Sequence, residues 1–437
     1  FEEKKGLNSK NGCLKYLSNY AEPEIQGIGI QHSSNFVAIL VIPIFDEAIE
    51  KLNHFLELNS PKSIVLIWVF NCPDTAVIDE QRRTQSVMKH FVQSLNAQGV
   101  GQETNVYCSQ FKTNRRIYII DRCSSDRQIP VKQGVGLARK IGLDLGLFLI
   151  NEHLADEQVW LHNTDADVRL PDNYFNLPTL VAVSEPPCAA IIYPFEHQPE
   201  QGYEQSMALY EFSLRYYVGR LAWAGSPYAF HTIGSLIAVN PLAYAQVRGM
   251  PKRAGAEDFY LLNKLAKVGA VISLESPSIK IAGRPSHRVP FGTGPALSKL
   301  QDMSDSLNDY TYYHPEIFQL LKQVLTIVKS IEYTIGSIEM FFELLQNKMS
   351  KDHAKQVISV LKRLNIEKQY RHLASKPDAA QFIVAFHTWF DAFVTLRFIH
   401  EMRDLAYPNI PLDTLKRLLK HDGVKIDYYP RFNSLGV

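Results

Sequence analysis

Two carboxylates spaced two apart end the stretch Val159-Trp160-Leu161-His162-Asn163-Thr164-Asp165-Ala166-Asp167-Val168. An apolar run of strand length followed by Asp-x-Asp puts hard oxygen donors at a strand mouth, where Mg²⁺ or Mn²⁺ keeps waters and substrate phosphates in its shell. That chemistry suits a nucleoside diphosphate. Alone, Asp165 and Asp167 read as well as a solvated turn, Asp being a common loop residue. Other apolar runs stop at further acids and amides: Asp46 and Glu47, then Asn71 and Asp74, then Asp121. Ligands of open α/β sheets bind outside the carboxyl ends of the strands, so these residues would share one crevice with Asp165 and Asp167. An acidic crevice repels phosphate unless a divalent cation intervenes or some of the acids bind sugar and base hydroxyls.

The elements that would position these groups read as α/β. Residues 36–45 form a continuous aliphatic and β-branched run, the pattern of a strand buried on both faces of a parallel sheet. A helical pattern through Leu52, Phe55 and Leu56 follows, and a second such strand spans 64–70. The right-handed crossover rule makes these two strands neighbours. Further strands are expected at 116–121, in the run that ends in the paired Asp residues, and at 189–193, 234–239 and 271–274, with helices from near Gly134, Gln205 and Gly255. Residues 75–114 read as an insertion: a helix through Met88, Phe91 and Leu95, then a polar loop. From about residue 300 the apolar spacing becomes three and four, as in Ile317, Leu320, Leu321 and Val324, which is the mark of amphipathic helices. Four are expected, near 315–347, 351–373, 378–404 and 411–421. The organisation is therefore an N-terminal extension 1–35 with a short helix from Cys13 to Tyr20, a sheet domain 36–299 and a helical domain 300–437.

Composition narrows the function. With 437 residues, 46% hydrophobic and 21% charged, the chain is long enough for two or three cores. Its 46 Lys and Arg balance 45 Asp and Glu, so it carries no field of its own for nucleic acid or an anionic membrane. The five cysteines are scattered and never in a C-x-x-C pair, so neither a zinc site nor a disulfide framework is indicated, and reduced thiols in a cytoplasm are expected. The apolar runs are far shorter than the roughly 20 residues a membrane span needs.

In order and separation, four of these motifs resemble the family 2 nucleotide-sugar glycosyltransferases, which have the GT-A fold. Ile42-Pro43-Ile44-Phe45-Asp46-Glu47 resembles the family's opening Pro-x-Tyr-Asn-Glu, and Gly134 to Gly142 its Gly-x-x-x-Ala-Arg-Asn-x-Gly helix start. Asn163 to Asp167 is similar to its metal-binding Asp-x-Asp, and Glu257-Asp258, before a Leu-rich helix, to its late Glu-Asp pair. The resemblance covers roughly residues 36 to 296. It implies a GT-A-like open, mostly parallel sheet flanked by helices, to which this chain adds an all-α C-terminal domain. It also implies a metal-dependent transfer of sugar from a nucleotide sugar donor to an acceptor hydroxyl. Mn²⁺ or Mg²⁺ would sit on Asp165 and Asp167, and Asp258, beside Glu257, would be the base of an inverting reaction. Nucleotide-sugar contacts would come from Pro43, Phe45, Glu47, Asn71, Gly134, Arg139 and Asp165. A Gly- and Pro-rich segment carrying Arg284, His287 and Arg288 is expected to close over the diphosphate, with His287 as a third metal ligand and Arg284 or Arg288 on phosphate oxygens.

The sequence also departs from the family's pattern. The second strand ends Asn71-Cys72-Pro73-Asp74 instead of in paired acids and Gly-Ser, and Lys140 stands where the family has Asn. Saccharide, lipid and small-molecule acceptors all remain open, as does the oligomeric state. So do three rival functions: a sugar nucleotidyltransferase, a retaining GT-A enzyme, and an inactive nucleotide-sugar-binding scaffold. A dinucleotide fingerprint is disfavoured because Arg139 stands where Gly134-Val135-Gly136 would need a third Gly. Tyr210, Tyr216, Tyr217, Trp223 and Tyr228 suit either acceptor stacking or helix packing.

Overall fold

Strand β1 (Ala38–Ile44) is buried along its whole length, as its unbroken apolar sequence requires. The computed structural model describes residues 2–29, 36–58, 63–101, 105–153, 159–177, 181, 184–286, 292–303, 305–332 and 336–421. Helix α1 (Glu2–Asn19) precedes β1, and the short helix expected from Cys13 is thus the end of a longer one. After β1 come α2 (Ile49–Leu56) and β2 (Ile64–Asn71), which pairs parallel to β1 from Ala38↔Ile64 to Ile44↔Phe70. The anticipated β-α-β unit is present. Next are α3 (Ile78–Ser94), β3 (Gln98–Val100), β4 (Val106–Lys112), β5 (Arg115–Arg122), α4 (Gly134–His153), β6 (Trp160–Asn163) and β7 (Val168–Arg169). Then follow β8 (Cys188–Ile192), β9 (Phe195–Pro199), α5 (Glu204–Trp223), β10 (Ile237–Val239), α6 (Pro241–Gln246), α7 (Glu257–Leu265), β11 (Ala270–Ser273) and β12 (Ile279–Gly283).

Among the described residues nine strands make one sheet in the order β11-β8-β10-β6-β1-β2-β5-β4-β3. The four central strands β6, β1, β2 and β5 are parallel, so their carboxyl ends share an edge. The sheet is mixed, however, not mostly parallel: β10 is antiparallel to both its neighbours, and β4 to both of its own. Strands β3 and β4 form a hairpin where a polar loop was expected; β4 is half-exposed at the sheet's margin, and such a strand lacks the solid apolar run of a central one. A second sheet, β7-β12-β9, borders the paired Asp residues. Pro43 sits inside a central strand, where a missing N–H would normally break the ladder. Thr164 N–H donates to Val41 O, so Val41 and, two residues on, Pro43 face β6, and the β6 pairing ends at Val41↔Asn163. The missing donor therefore falls past the end of that ladder.

The chain divides into two compact units, one of residues up to 198 with 232–282, the other of 199–231, 283–286 and 292 onward. The second contains α5, α8 (Thr293–Gln301), α9 (Ser306–Asp309), β13 (Thr311–Tyr312), α10 (Pro315–Lys329), α11 (Ile338–Lys348), α12 (Lys351–Arg363), α13 (Ile366–Ala374), α14 (Ala379–Trp389), α15 (Ala392–Leu405), β14 (Ile410–Pro411) and α16 (Leu412–His421). Three expected long helices are each broken in two. Asn365, in the left-handed region at φ 62°, separates α12 from α13, and Asp391 caps α15 by accepting from the Phe393 and Val394 N–H groups. Phe212 and Tyr216 of α5 share one apolar core with Tyr312, Phe318 and Leu321, so these aromatic residues pack helices. No single helix among the described residues is long and apolar enough to cross a membrane.

In the first unit a fully buried carboxylate, Asp144, fastens α1 to α4 and α6. It accepts from Tyr16 OH (2.6 Å), Tyr244 OH (2.8 Å), Lys140 Nζ (2.8 Å) and the Glu22 N–H (2.9 Å). Lys140 also donates to Tyr16 OH and to Tyr20 O, which explains a lysine at this point of α4. Breaking a buried pair by removing one partner costs about 3–5 kcal/mol, whereas replacing both with apolar groups is close to neutral. In urea unfolding, Asp144→Ala is accordingly expected to lose stability in that range, and Lys140→Met with Asp144→Leu to lose less, the remaining cost coming from the Tyr16, Tyr244 and Glu22 donors left without their acceptor.

Candidate functional site

Three elements of the first unit meet at Arg139, which lies in the second turn of α4. Its Nε donates to Glu257 Oε1 at 3.0 Å and its Nη2 to Asp165 Oδ1 at 2.8 Å. Glu257 stands in the first turn of α7 and Asp165 two residues past β6. Arg139 and Glu257 are both buried, and Asp165 keeps 37% of its side chain exposed. The guanidinium lies flat against Gly234, where a Cβ would stand 2.6 Å from Nη2. Gly234 O in turn accepts from Asn163 Nδ2 at 2.6 Å. Arg139 Nη1, Asn163 Oδ1 and Thr164 Oγ1 are buried without a hydrogen-bond partner among the described residues. Polar atoms in that condition are what a bound polar ligand or ordered water satisfies.

The start of α4, where Gly134 and Arg139 are expected to contact the nucleotide sugar, is packed against the segment before α7. Gly136 N–H donates to Arg253 O, and Gly134 N–H to Pro130 O. A Cβ on Gly134 would meet Ala254 Cα at 2.7 Å, and one on Gly136 would meet Arg253 N at 2.6 Å. Both glycines therefore admit the 251–254 segment, and that segment delivers the chain into α7 through Ala256 at φ 57°. Arg139, expected on a diphosphate, spends Nε and Nη2 on carboxylates. Burial works against its charge, but Asp165, Glu257 and Asp258 outweigh that and hold its pKa above the ordinary value.

Asp258 carries the clearest electrostatic signature. Burial first, then the neighbouring Glu257 charge, push its carboxyl up to about 7 against the opposing pull of Arg139 and the Phe259 N–H, which donates to Oδ1 at 2.7 Å. Asp165 adds a smaller push in the same upward direction, so Asp165 and Asp258 lie within electrostatic reach of one another. A carboxyl poised near neutrality is suited to accept and release a proton. His162, at the end of β6, is different: burial pushes it down to about 3, and it stays neutral among Tyr174, Phe175 and Tyr193.

Other strand-end acids are committed to protein partners. Asp46, at φ 51°, is clamped by Arg83 through Nε–Oδ1 at 2.7 Å and Nη2–Oδ2 at 2.9 Å. Asp74 accepts from the Val131 N–H. Asp121 is pushed up by burial, but donors from Ser124 and Cys123 prevail and hold it below the usual range. Glu47 is buried and pairs with Lys51 at 3.0 Å. Asn71 ends β2 with its Oδ1 buried and unpartnered among the described residues, Pro43 is buried in β1, and Phe45 is partly exposed just beyond it. Asp167 lies beside β12, its carbonyl accepting from the Ala282 N–H at 3.4 Å. Arg284 follows β12 in the second unit, and His287 and Arg288 lie outside the described residues. Sequence reading missed Arg83 and Gly234, which belong to no local motif, and it gave Asn163 no role beyond opening the Asp-x-Asp stretch; the partners of all three are distant in the chain.

No protein-family model matches the chain, and no curated protein matches it significantly.

Because Asp258 is raised, the native state keeps a proton that the unfolded chain has lost between pH 3.8 and about 7, so stability falls as pH rises through that window. Carbon-13 titration of the Asp258 carboxyl is expected to show a midpoint near 7. Glu257→Gln removes the like charge and should move that midpoint to lower pH; an unshifted midpoint would contradict the assignment of cause.

Proposed function

We propose that this chain is a metal-dependent glycosyltransferase of the GT-A kind, moving a sugar from a nucleoside diphosphate sugar to an acceptor hydroxyl with inversion. The observation that carries this reading is the Arg139 bridge, which ties the Asp-x-Asp turn to the helix start bearing Asp258. Asp258 takes the acceptor's proton as its oxygen bonds to the anomeric carbon, and the bond from that carbon to the diphosphate breaks. A carboxyl near pKa 7 is ionised in an appreciable fraction at neutral pH and still basic enough to receive that proton. Glu257 sustains the raised value, and Arg139 keeps the two acidic elements together.

Asp165 and Asp167 suit a hard divalent cation in donor type, both being carboxylates at a strand mouth. Asp165 Oδ1 is already engaged by Arg139, so a cation at this turn would compete with that guanidinium for Asp165. Among the described residues no three His, Cys, Asp or Glu side chains group to hold an ion, so waters and donor phosphates would complete its shell. When bound, Mn²⁺ or Mg²⁺ supplies charge neutralisation for the departing diphosphate. The nucleotide would extend over the carboxyl ends of β1 and β2, where Phe45 and Asn71 stand. The balance of basic and acidic residues and the unpaired thiols fit a cytoplasmic enzyme that binds no nucleic acid.

Asp258→Asn is expected to lower turnover by about 10²- to 10⁴-fold with nucleotide affinity nearly unchanged. Asp167→Ala should instead abolish the Mn²⁺-dependent part of nucleotide binding, measured by calorimetry with UDP and GDP. Full turnover in Asp258→Asn, once an acceptor is found, would refute the base; metal-independent binding in the wild type would refute the cation.

A further inference from the structure

Two thiols play no part in the proposed transfer, yet the sheet brings them side by side. Strands β2 and β5 run parallel and in register up to Asn71↔Arg122, and the ladder continues one step further, with the Cys72 N–H donating to Arg122 O at 3.0 Å. Cys72 and Cys123 thus each stand one residue past the last paired rung of neighbouring strands. Such strands lie about 4.8 Å apart, inside the window of about 4.4–6.8 Å between Cα atoms that a disulfide spans. Both side chains are wholly buried, and the strongest influence on each thiol is the other. Cys123 Sγ lies 3.4 Å from Asp121 Oδ1 and 3.9 Å from Met88 Sδ. Cys13, Cys108 and Cys188 lie on α1, β4 and β8, away from this rung.

We propose that Cys72 and Cys123 form a redox-active dithiol that closes to a disulfide across the ends of β2 and β5. The roles of the two sulfurs differ. The neighbouring Cys123 thiol pulls Cys72 below its ordinary value, and Cys72, burial and Asp121 push Cys123 up. Cys72 is therefore the attacking thiolate and Cys123 the resolving thiol. With hydrogen peroxide as oxidant, Cys72 sulfur attacks one peroxide oxygen, the O–O bond breaks, and a sulfenic acid and one water form. Cys123 sulfur then displaces the hydroxyl of that sulfenic acid as a second water. Two thiols lose two electrons and two protons, and peroxide takes up both.

Burial makes the closure slow, because peroxide reaches the pair only when α3 or the strand ends open. The pairing is also specific, since among the described residues Cys13, Cys108 and Cys188 lie on other elements. The new bond would link the residue after Asn71 to the residues after Asp121, at the end of the sheet where the nucleotide is proposed to lie. Its formation does not depend on the transfer reading and is tested without an activity assay.

The whole chain is treated with hydrogen peroxide, quenched, alkylated under denaturing conditions and mapped by peptide mass. The expected result is a peptide joined through Cys72 and Cys123, two hydrogens lighter than the sum of its parts, with Cys13, Cys108 and Cys188 not joined to either. Recovery of Cys72 and Cys123 unlinked, whether alkylated or as sulfinic acids, would overturn the proposal, as would a link from either to another cysteine. In Cys123→Ser, dimedone should trap a sulfenic acid at Cys72; trapping at Cys108 alone would overturn the assignment of the attacking thiol. The wild-type map decides the pairing even if that variant fails to fold.

Discussion

A guanidinium taken out of water must be neutralised where it sits, and the first unit is built around that requirement at Arg139. Leaving a buried charge unpaired costs several kcal/mol, so Asp165 and Glu257 stabilise the position in which α4 carries Arg139. Three elements distant in sequence are coupled by one side chain. The compensation is also excessive: Asp165, Glu257 and Asp258 surround a single cation. Burial first, and then the neighbouring Glu257 charge, make Asp258 keep its proton to about pH 7. Its proposed basicity is therefore a product of burial, with the crowding of acids around Arg139 adding to it.

The next residue of α4 faces another way. Successive helical residues are rotated by about 100°, so Lys140 points into the α1 interface while Arg139 points to the carboxylates. Lys140 and Asp144 are one turn apart and share Tyr16, which lets a single helix carry two buried ionic clusters on separate faces. The departure from the family's pattern at Lys140 thus has a local cause. The residue serves the attachment of α1, and the neighbouring Arg139 is left to the site.

Legibility in the sequence followed burial. Strands β1 and β2 are enclosed on both faces, and their solid apolar runs announced them; so did the glycine-rich start of α4 and the acidic start of α7. The hairpin of β3 and β4 was hidden because a marginal strand needs no such run, and β12 because its alternating burial is short. The breaks at Asn365 and Asp391 carry no Pro or Gly. Within the site, Arg139, Asp165, Glu257 and Asp258 were each picked out by local pattern, and the structure brings them together. Their pairing was not legible, since Arg139 and Glu257 are 118 residues apart and nothing local distinguishes a phosphate-binding arginine from one that binds carboxylates.

The acids along the shared strand edge divide into two groups, and the division determines where an anionic ligand can approach. Arg83 pairs with Asp46, Lys51 with Glu47 and Arg127 with Asp121, so the acids after β1 and β5 each face a cation of their own. Near β6 and α7 one guanidinium faces three carboxylates, of which Asp258 keeps its proton to about pH 7. A diphosphate approaching that end would meet surplus negative charge, and electrostatics alone would turn it away. A cation bound there first would reverse that, which is the service the proposed Asp-x-Asp site would perform.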